Sequence, residues 1–385
     1  MENNQMPWDI SLAERKEEVV AALKSGKKVA LMLYPKIDQT SSFRYRSYNI
    51  YRATKFSKKW QLVYFYMEEI QAVFDLLPKV QLLVFGRIEK WSNELDELAL
   101  LARQNNIKIA YDLDDCVCGL KHIKEMFNVV SPDSIDQEYW INASAQYELI
   151  SYLADGFIVT NDYLGKILSE SHDNKPYMVI RNSLNQEQID FSKELLKEKN
   201  ANNGKDFIIG YFSGSHTHAC DFEVVYPELL QLLDGYSDMK LRIVGMLKLP
   251  ASADKYIKSK QIEFVSMVDF LTLQRLISEV NVNIAPLANN VFTNCKSELK
   301  FFEAALVKTP TIASPTFSFK NSIKNNKTGF LCQPGEWYDR IVDLYKNREL
   351  GEKIASEAHN YCLENYAPSK CLEEIEKAYD FYGKK

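Results

Sequence analysis

Short apolar runs alternate with segments of helical periodicity along the whole chain. Twelve such runs predict strands, and those that are apolar throughout are typical of parallel strands covered on both faces. The predicted strands lie at 29–34, 61–67, 80–85, 108–112, 157–161, 178–182, 207–212, 240–245, 262–266, 282–287, 310–313 and 329–333.

Segments with apolar residues three and four positions apart lie between these runs and predict helices. They include 92–104, 137–154, 222–233, 270–278, 296–307, 352–365 and 369–382. Regular alternation of strand and helix predicts an α/β protein of two doubly wound domains. In such sheets ligands bind beyond the carboxyl ends of the strands.

The length of the chain, 385 residues, also indicates two domains, because one hydrophobic core rarely exceeds roughly 250 to 300 residues. A polar stretch at 186–205 separates the two sets of strands and is the candidate linker region. We expect the first domain at 1–190, a linker at 191–205, the second domain at 206–367, and a terminal helix at 368–385 that crosses back to the first domain.

Composition is that of a soluble globular protein, with 46% hydrophobic, 26% charged and 12% aromatic residues. A formal net charge of −5 gives no case for a nucleic acid partner. The seven cysteines form no CxxC pair, and the first residues have neither a basic nor an apolar signal region. We therefore expect a cytoplasmic protein with reduced thiols.

The segment KSELKFFEAALVKTPTIASP, residues 296–315, carries the most informative pattern in the chain. Lys296, Lys300 and Glu303 stand at i, i+4 and i+7, so a helix would stack them along one face. The two cations and the helix N-terminus would attract the phosphates of a nucleotide diphosphate, and the carboxylate can accept hydrogen bonds from sugar hydroxyls. The alternative interpretation is a solvated helix face.

The loop after the strand at 207–212 reads SGSHTHACDF. Its small and polar residues would let backbone N–H groups approach a phosphate. The candidate phosphate-binding residues of this loop are Gly214, Ser215, His216 and Thr217. GxGxxG is absent here and from the loop after the first strand, which disfavours an NAD enzyme, and no Walker loop occurs. Zinc binding by His216, His218 and Cys220 would lack an evident fourth ligand, so we expect no metal.

Three carboxylates, Asp112, Asp114 and Asp115, follow the fourth predicted strand in the sequence YDLDD. Paired carboxylates at a strand end can act as a general base or hold Mg²⁺. They can equally be turn and helix-capping residues.

A basic and aromatic segment extends from residue 43 to residue 67 and contains no acid. It suits an anionic membrane surface or an anionic acceptor, while the alternative is a solvated helix whose aromatic residues pack inward. Arg44 and Arg46 differ from the rest because they follow the loop of the first strand, where Ser41 and Ser42 could cap a helix.

Together these segments resemble a bacterial glycosyltransferase of family 4, the retaining group with the GT-B architecture, in a subgroup acting on cell-surface polysaccharides. The similarity is strongest in IGYFSGSHTHACDF, LRIVG, VNIAPL and KSELKFFEAALVKTPTIAS, and weaker in SSFRYR, YDLDD and VIRNSLN. It implies two Rossmann-like domains facing a cleft, of which the first binds the acceptor and the second the nucleotide-sugar donor, and it implies no metal.

The resemblance implies roles for individual residues of the second domain. Glu303 matches the second glutamate of the family's Glu-x7-Glu motif, which binds the nucleotide ribose. The first glutamate falls at Cys295, so the motif is broken, and Lys296, Ser297 or Glu298 would contact the donor sugar instead.

The family's usual Arg and Lys on the first donor-domain loop are also missing. Phosphate neutralisation would then depend on Lys300, Lys296 or Arg44. We take Lys300, together with Asp114 and Asp115, as the catalytic candidates.

These features predict a metal-independent retaining hexosyltransferase that uses a nucleotide sugar as co-substrate and needs no cofactor. The acceptor would be a glycan or a lipid-linked or protein-linked molecule, with the enzyme in the cytoplasm or peripheral at the inner membrane face. The alternatives are a non-catalytic glycosyltransferase-like partner subunit, which Cys295 favours, and an epimerase or phosphorylase of the same fold.

Overall fold

The structure, a computed structural model, describes residues 6–36, 41–127, 134–199, 206–213 and 219–383. The chain divides into two compact units. The first unit contains Met1–Ile123, Tyr139–Asn185 and Pro368–Lys385, and the second contains Lys124–Glu138 and Gln186–Ala367.

Six parallel strands form the sheet of the first unit, in the order β2-β1-β3-β4-β5-β6. Their bounds are β1 Lys28–Tyr34, β2 Trp60–Tyr66, β3 Leu82–Gly86, β4 Lys108–Leu113, β5 Gly156–Val159 and β6 Tyr177–Val179. β1 to β5 are buried along almost their whole length, which explains their continuous apolar sequence. The strand order reverses between β1 and β3, where an open α/β sheet leaves room for a ligand.

The helices as far as residue 171 follow in chain order. They are α1 Leu12–Lys24, α2 Ser41–Phe43, a π-helix at Arg44–Tyr48, α3 Asn49–Thr54, α4 Ile70–Leu76, α5 Asn93–Gln104, α6 Ile123–Phe127, α7 Ser134–Ser151 and α8 Asp162–Ser171. Single turns of 3₁₀-helix occur at Met67–Glu69, Leu77–Lys79 and Leu120–His122. Side-chain caps explain two of the helix starts, because Ser11 accepts from the N–H of Glu14 and Asn161 accepts from that of Leu164.

The second unit contains another sheet of six parallel strands, in the order β12-β11-β10-β7-β8-β9. Their bounds are β7 Phe207–Ser213, β8 Met239–Gly245, β9 Ile262–Val265, β10 Val282–Ala285, β11 Thr311–Ala313 and β12 Phe330–Leu331. This order is that of the Rossmann fold, and it reverses between β7 and β10.

The remaining helices follow in chain order. They are α9 Gln186–Lys199, α10 Ala219–Glu223, α11 Tyr226–Gly235, α12 Asp254–Lys258, α13 Phe270–Ser278, α14 Val291–Asn294, α15 Leu299–Leu306, α16 Phe317–Ser322, α17 Trp337–Lys346, α18 Arg348–Tyr366 and α19 Pro368–Tyr382, with a 3₁₀ turn at Ala251–Ala253. In the first unit α19 packs on α3. None of the helices in the described parts of the chain is long and apolar enough to cross a membrane.

All twelve predicted strands are present, with ends that shift by up to three residues. Two predicted helices need correction. The segment 222–233 is two helices, α10 and α11, because Pro227 has no backbone N–H to continue the hydrogen bonds of α10 and is tolerated only in the first turn of a helix, here that of α11. The helix predicted at 296–307 begins only at Leu299, since Cys295 ends α14 and Glu298 is the N-cap of α15.

The expected linker region also contains regular structure. Helix α9 covers Gln186–Lys199 and belongs to the second unit, where it packs on α13. A hydrogen bond of 2.7 Å from the amide of Gln188 to that of Gln274 joins the two helices.

Candidate functional site

The carboxyl ends of β7 and β10 are the first place to search in the second unit, because the strand order reverses there. Residues 214–218 follow β7, and residues 286–290 follow β10. Asp221 of α10 is fully buried and accepts a hydrogen bond of 2.9 Å from the backbone N–H of Ala288. This contact ties the segment after β7 to the loop after β10.

Lys300 places its ammonium group in the same region. Its Nζ lies 5.0 Å from the centre of the Tyr211 ring on β7. The Nζ atom is buried, and it has no hydrogen-bond partner among the described residues. Burial lowers the pKa of Lys300 to about 8, and the nearby positive charge of Lys296 lowers it in the same direction. The carboxylates of Asp221 and Glu303 act in the opposite direction and raise it. An anion that entered the site would find a buried donor whose hydrogen bonds are not yet made.

Helix α15, which carries Lys300, is held from several sides. Asn283 on β10 donates to the Lys300 carbonyl at 3.1 Å, and Gln274 on α13 donates to the Glu303 carbonyl at 2.7 Å. The ring of Phe302 stacks on an aromatic ring of α18, with ring centres 4.8 Å apart. The backbone under the ammonium group is therefore fixed by packing rather than by a ligand.

Three predicted ligand residues, Lys296, Ser297 and Glu298, lie between α14 and α15. Lys296 and Ser297 are partly exposed, and the Lys296 Nζ lies 4.5 Å from the centre of the Phe292 ring. The Glu298 carboxylate is buried and accepts a hydrogen bond of 2.9 Å from the Tyr366 hydroxyl. Lys296 and Ser297 are thus more accessible to a ligand than Glu298.

The two positions of the Glu-x7-Glu motif differ in their chemistry. Glu303 is 4% exposed and lies close enough to Lys300 to affect its pKa. Cys295 is fully buried at the end of α14. No charge is presented at the first motif position.

The four ligand candidates of the loop after β7 fall outside the described residues; they are Gly214, Ser215, His216 and Thr217. The residue before them is tightly packed. Gly245, at the end of β8, has φ of +101°, and a Cβ atom built on it would lie 1.8 Å from the carbonyl oxygen of Ser213. Only glycine fits there without movement of the strand end.

In the first unit, the catalytic candidates Asp114 and Asp115 meet Arg87. This arginine follows β3, next to the reversal of strand order, and has a positive φ of 42°. Its Nη1 donates to Asp114 and, at 3.0 Å, to Ser42, and lies 3.4 Å from Asp115. Burial alone would raise the pKa of Asp114, but Arg87 and a hydrogen bond with Ser42 lower it, so the group stays ionised.

The other carboxylate of YDLDD has a structural partner. Asp112 and Arg46 form a buried bidentate ion pair with distances of 2.8 and 2.9 Å, and Arg46 also donates to the Ile180 carbonyl. Arg44, the phosphate ligand suggested by the sequence, is buried with its guanidinium 4.3 Å from the centre of the Tyr45 ring.

Sequence reasoning missed Arg87, Asp221 and a third group, a cluster of Cys118, Glu148 and His172. Signals for the first two exist: Arg87 directly follows an apolar strand, and Asp221 is the first acid after β7. The cluster has no local signal, because Cys118 and His172 are 54 residues apart.

The region around Lys300 also has a counterpart among known protein families. Residues 208–347 match the family Glycosyl transferases group 1. The matched segment lies within the second unit and contains Lys296, Lys300 and Glu303. The predicted resemblance to a glycosyltransferase is confirmed at the level of group 1 glycosyltransferases, while family 4 and the cell-surface polysaccharide subgroup stay predictions.

Solved structures share the fold over most of the chain. Anabaena Alr3699/HepE in complex with UDP-glucose is 14% identical, with a TM-score of 0.58 over 91% of this chain and 98% of that chain. A Rickettsia africae glycosyltransferase is 15% identical, with a TM-score of 0.62 over 94% and 100%. Sucrose-phosphate synthase from Thermosynechococcus elongatus is 12% identical, with a TM-score of 0.60 over 92% and 98%. No curated protein matches the chain significantly. The prediction of two Rossmann-like units of the GT-B class is confirmed.

Proposed function

We propose that the protein is a retaining glycosyltransferase that moves a sugar from a nucleotide diphosphate sugar to a glycan, lipid-linked or protein-linked acceptor in the synthesis of cell-surface polysaccharide or glycoconjugate. The family match supports glycosyl transfer, and the UDP and UDP-glucose complexes of the Anabaena protein support a nucleotide-sugar donor. The observation that carries the proposal is the buried ammonium group of Lys300 beside the reversal of strand order.

In this proposal the second unit binds the donor. Lys300 and Lys296 stabilise the negative charge that develops on the leaving diphosphate, while Glu303 accepts hydrogen bonds from the ribose hydroxyls. Backbone N–H groups of residues 214–217 would add further donors to the phosphates. Orientation of the two substrates and stabilisation of the leaving group supply the catalysis, without a covalent protein nucleophile, a metal or a cofactor.

We assign acceptor binding to the first unit. Asp114 is ionised beside Arg87 and its side chain is 11% exposed, so it can accept a hydrogen bond from an acceptor hydroxyl and hold it in one orientation. Asp115 lies in the same group and would share this role.

A second candidate function is a non-catalytic partner subunit. The buried, uncharged side chain of Cys295 at the first motif position favours it. The two candidates differ in ligand binding, because only the enzyme needs affinity for a nucleoside diphosphate. Titration calorimetry with UDP, GDP and dTDP separates them, and a protein that binds none of the three is the partner subunit.

Replacement of Lys300 by Met tests the enzymatic proposal and keeps most of the side-chain volume. We expect Lys300→Met to bind the preferred nucleoside diphosphate roughly 10- to 100-fold more weakly, since a hydrogen bond to a charged group contributes about 1.5–3 kcal/mol. Sugar transfer should fall on the order of 100-fold, as it should in Glu303→Gln.

The matched control is Lys308→Met, which removes the same charge from an exposed position just after α15. It should bind and transfer as the wild type does. Full activity of both Lys300→Met and Glu303→Gln would remove the site assignment. Proton NMR of the first product reports whether the anomeric configuration is retained.

We further propose that the protein lies in the cytoplasm and contacts the inner membrane face through residues 55–59. Phe56 is 57% exposed, and Lys58 beside it is exposed. Two neighbouring lysines already have carboxylate partners: Lys55 lies 2.6 Å from Glu18, and Lys59 lies 3.8 Å from a carboxylate oxygen of α19. Phe56 and Lys58 would therefore contribute most of the membrane contact.

A further inference from the structure

Three side chains able to bind a metal ion meet in the first unit, apart from the residues assigned to transfer. Cys118 lies in the segment after β4, Glu148 is on α7, and His172 is the C-cap of α8. The Cys118 Sγ, a Glu148 carboxylate oxygen and a His172 ring nitrogen all lie within 4.8 Å of one another. Cys118 and His172 are buried, while the Glu148 side chain is 23% exposed. The cluster therefore has access to solvent on the side of the carboxylate.

The hydrogen bond on the far side of the imidazole determines which nitrogen is available. His172 Nδ1 lies 2.7 Å from the Leu168 carbonyl oxygen, which can only accept, so Nδ1 carries the proton. In the neutral ring, Nε2 then presents a lone pair. The Glu148 Oε2 lies 3.3 Å from Nε2, so the lone pairs of both atoms can reach one cation between them. A carbonyl on the opposite nitrogen is the usual orienting partner of a metal-binding histidine.

The distances within the cluster match the edges of a tetrahedral zinc site. With Zn–S of about 2.3 Å and Zn–N and Zn–O of about 2.05 Å, tetrahedral angles give edges of about 3.5 Å from sulfur and about 3.3 Å between nitrogen and oxygen. The observed distances are 3.4 Å for Cys118 Sγ to His172 Nε2, 3.9 Å for Sγ to Glu148 Oε2, and 3.3 Å for Nε2 to Oε2. Only the edge between sulfur and oxygen would have to shorten, and it involves the partly exposed carboxylate.

We propose that Cys118, Glu148 and His172 bind one Zn²⁺ ion, with a water molecule in the fourth position. Thiolate, imidazole and carboxylate together select zinc among the common divalent cations. Binding replaces the thiol proton of Cys118, which passes to solvent. The ion would tie the segment after β4, which also carries Asp114 and Asp115, to α7 and α8. The site is independent of the donor assignment in the second unit.

Metal analysis of the full-length protein tests the site. Protein purified without chelators should contain about one zinc per chain, the stoichiometry of a single site of this kind. After replacement of zinc by Co²⁺, a thiolate-to-cobalt charge-transfer band in the near ultraviolet should appear, because Cys118 is a ligand. Cys118→Ser should lose that band and the bound zinc.

Glu148→Gln is the second variant, and its partly exposed side chain makes it the least disruptive of the fold. Its affinity for zinc should fall at least roughly 10-fold, the loss that even an outer-shell substitution can cause. Cys332→Ser, which changes a buried thiol of the second unit, should keep both zinc and the cobalt band. Circular dichroism confirms that each variant is folded.

Two results would overturn the proposal. One is a wild-type protein that retains no zinc after anaerobic loading and desalting, in which case the three side chains are only hydrogen-bonded to one another. The other is a folded Cys118→Ser variant that holds as much zinc as the wild type. Either result leaves the glycosyltransferase proposal unchanged, since nucleotide binding is measured separately in the Lys300 variants.

Discussion

A lysine whose ammonium group is buried without a hydrogen-bond partner is an unfavourable feature in a folded protein unless a ligand supplies the missing contacts. Lys300 is such a residue within the described part of the second unit. Its position beside Tyr211 and Asp221 keeps it close to the strand ends where nucleotides bind in Rossmann-like folds. The lowered pKa of Lys300 is the electrostatic consequence of the same burial.

The pH dependence of nucleotide binding should report on this residue. The ligand requires the protonated lysine, and the pKa of Lys300 in the free protein is about 8. Affinity for UDP, or for whichever nucleoside diphosphate binds, should therefore be constant near pH 7 and fall up to about tenfold per unit above about pH 8. Calorimetry from about pH 7 to about pH 9.5 measures the profile while the ligand's own phosphate remains ionised. The Lys300→Met variant should give a flat profile over this range, and a wild-type profile equally flat would contradict the assignment.

Individual residues of the candidate site could be proposed from the sequence where the signal is local. Lys300 and Glu303 follow from their spacing within one helix, and the carboxylates of Asp114 and Asp115 from their place after a strand. Their partners were not predictable. Arg87 follows β3 and reaches Asp114 at the end of the neighbouring strand β4, and such a contact depends on the strand order rather than on any spacing in the chain.

At the scale of elements, all twelve strands were predictable because buried parallel strands are short, apolar and separated by polar turns. Helix ends were less predictable, because caps decide them. The apolar periodicity of 296–307 continues through the N-cap at Glu298, so the pattern alone places the start of α15 three residues early. The correction matters for Lys296, which lies before the helix and not on its face.

The contact between the ends of β7 and β8 gives a prediction at the same scale. Gly245 and Gly335 have similar positive φ angles, +101° and +92°, but a Cβ on Gly335 would have no neighbour within 4 Å. Gly335→Ala should therefore cost only about 1–2 kcal/mol for the backbone conformation. Gly245→Ala should cost about 1–3 kcal/mol more, because the new methyl group displaces the Ser213 carbonyl.

Urea unfolding of the two glycine variants measures this difference directly. Because Ser213 directly precedes the candidate phosphate ligands at 214–217 in the chain, Gly245→Ala should also weaken nucleotide binding, while Gly335→Ala should not. Equal unfolding midpoints for the two variants would show that the end of β7 can move freely. This result would argue against the end of β7 as a rigid support for the loop that follows it.

At the scale of the whole molecule, charge opposes binding to an anionic membrane. The formal net charge is −5, so the protein as a whole gains no electrostatic attraction to a bilayer of the same sign, and charge interactions with that bilayer are largely screened beyond a Debye length of about 8 Å. Membrane contact through Phe56 and Lys58 must therefore be short-ranged and weak, since one lysine near an anionic surface contributes only about 1 kcal/mol. The aromatic side chains of this segment are otherwise mostly buried, among them Tyr45, Tyr48, Tyr51 and Trp60.

Flotation with vesicles tests this balance. We expect the protein to float with vesicles rich in phosphatidylserine, to stay in solution with neutral vesicles, and to lose binding as salt is raised, because screening removes the attraction of Lys58. The double variant Phe56→Ser, Lys58→Glu should not float with either kind of vesicle. Lys346→Glu, which makes the same charge change at an exposed position of the second unit, should float as the wild type does. If the double variant and Lys346→Glu float equally well, the protein binds the membrane through another surface or through the acceptor lipid alone. In that case residues 55–59 are simply the solvated end of a helix whose aromatic residues pack inward.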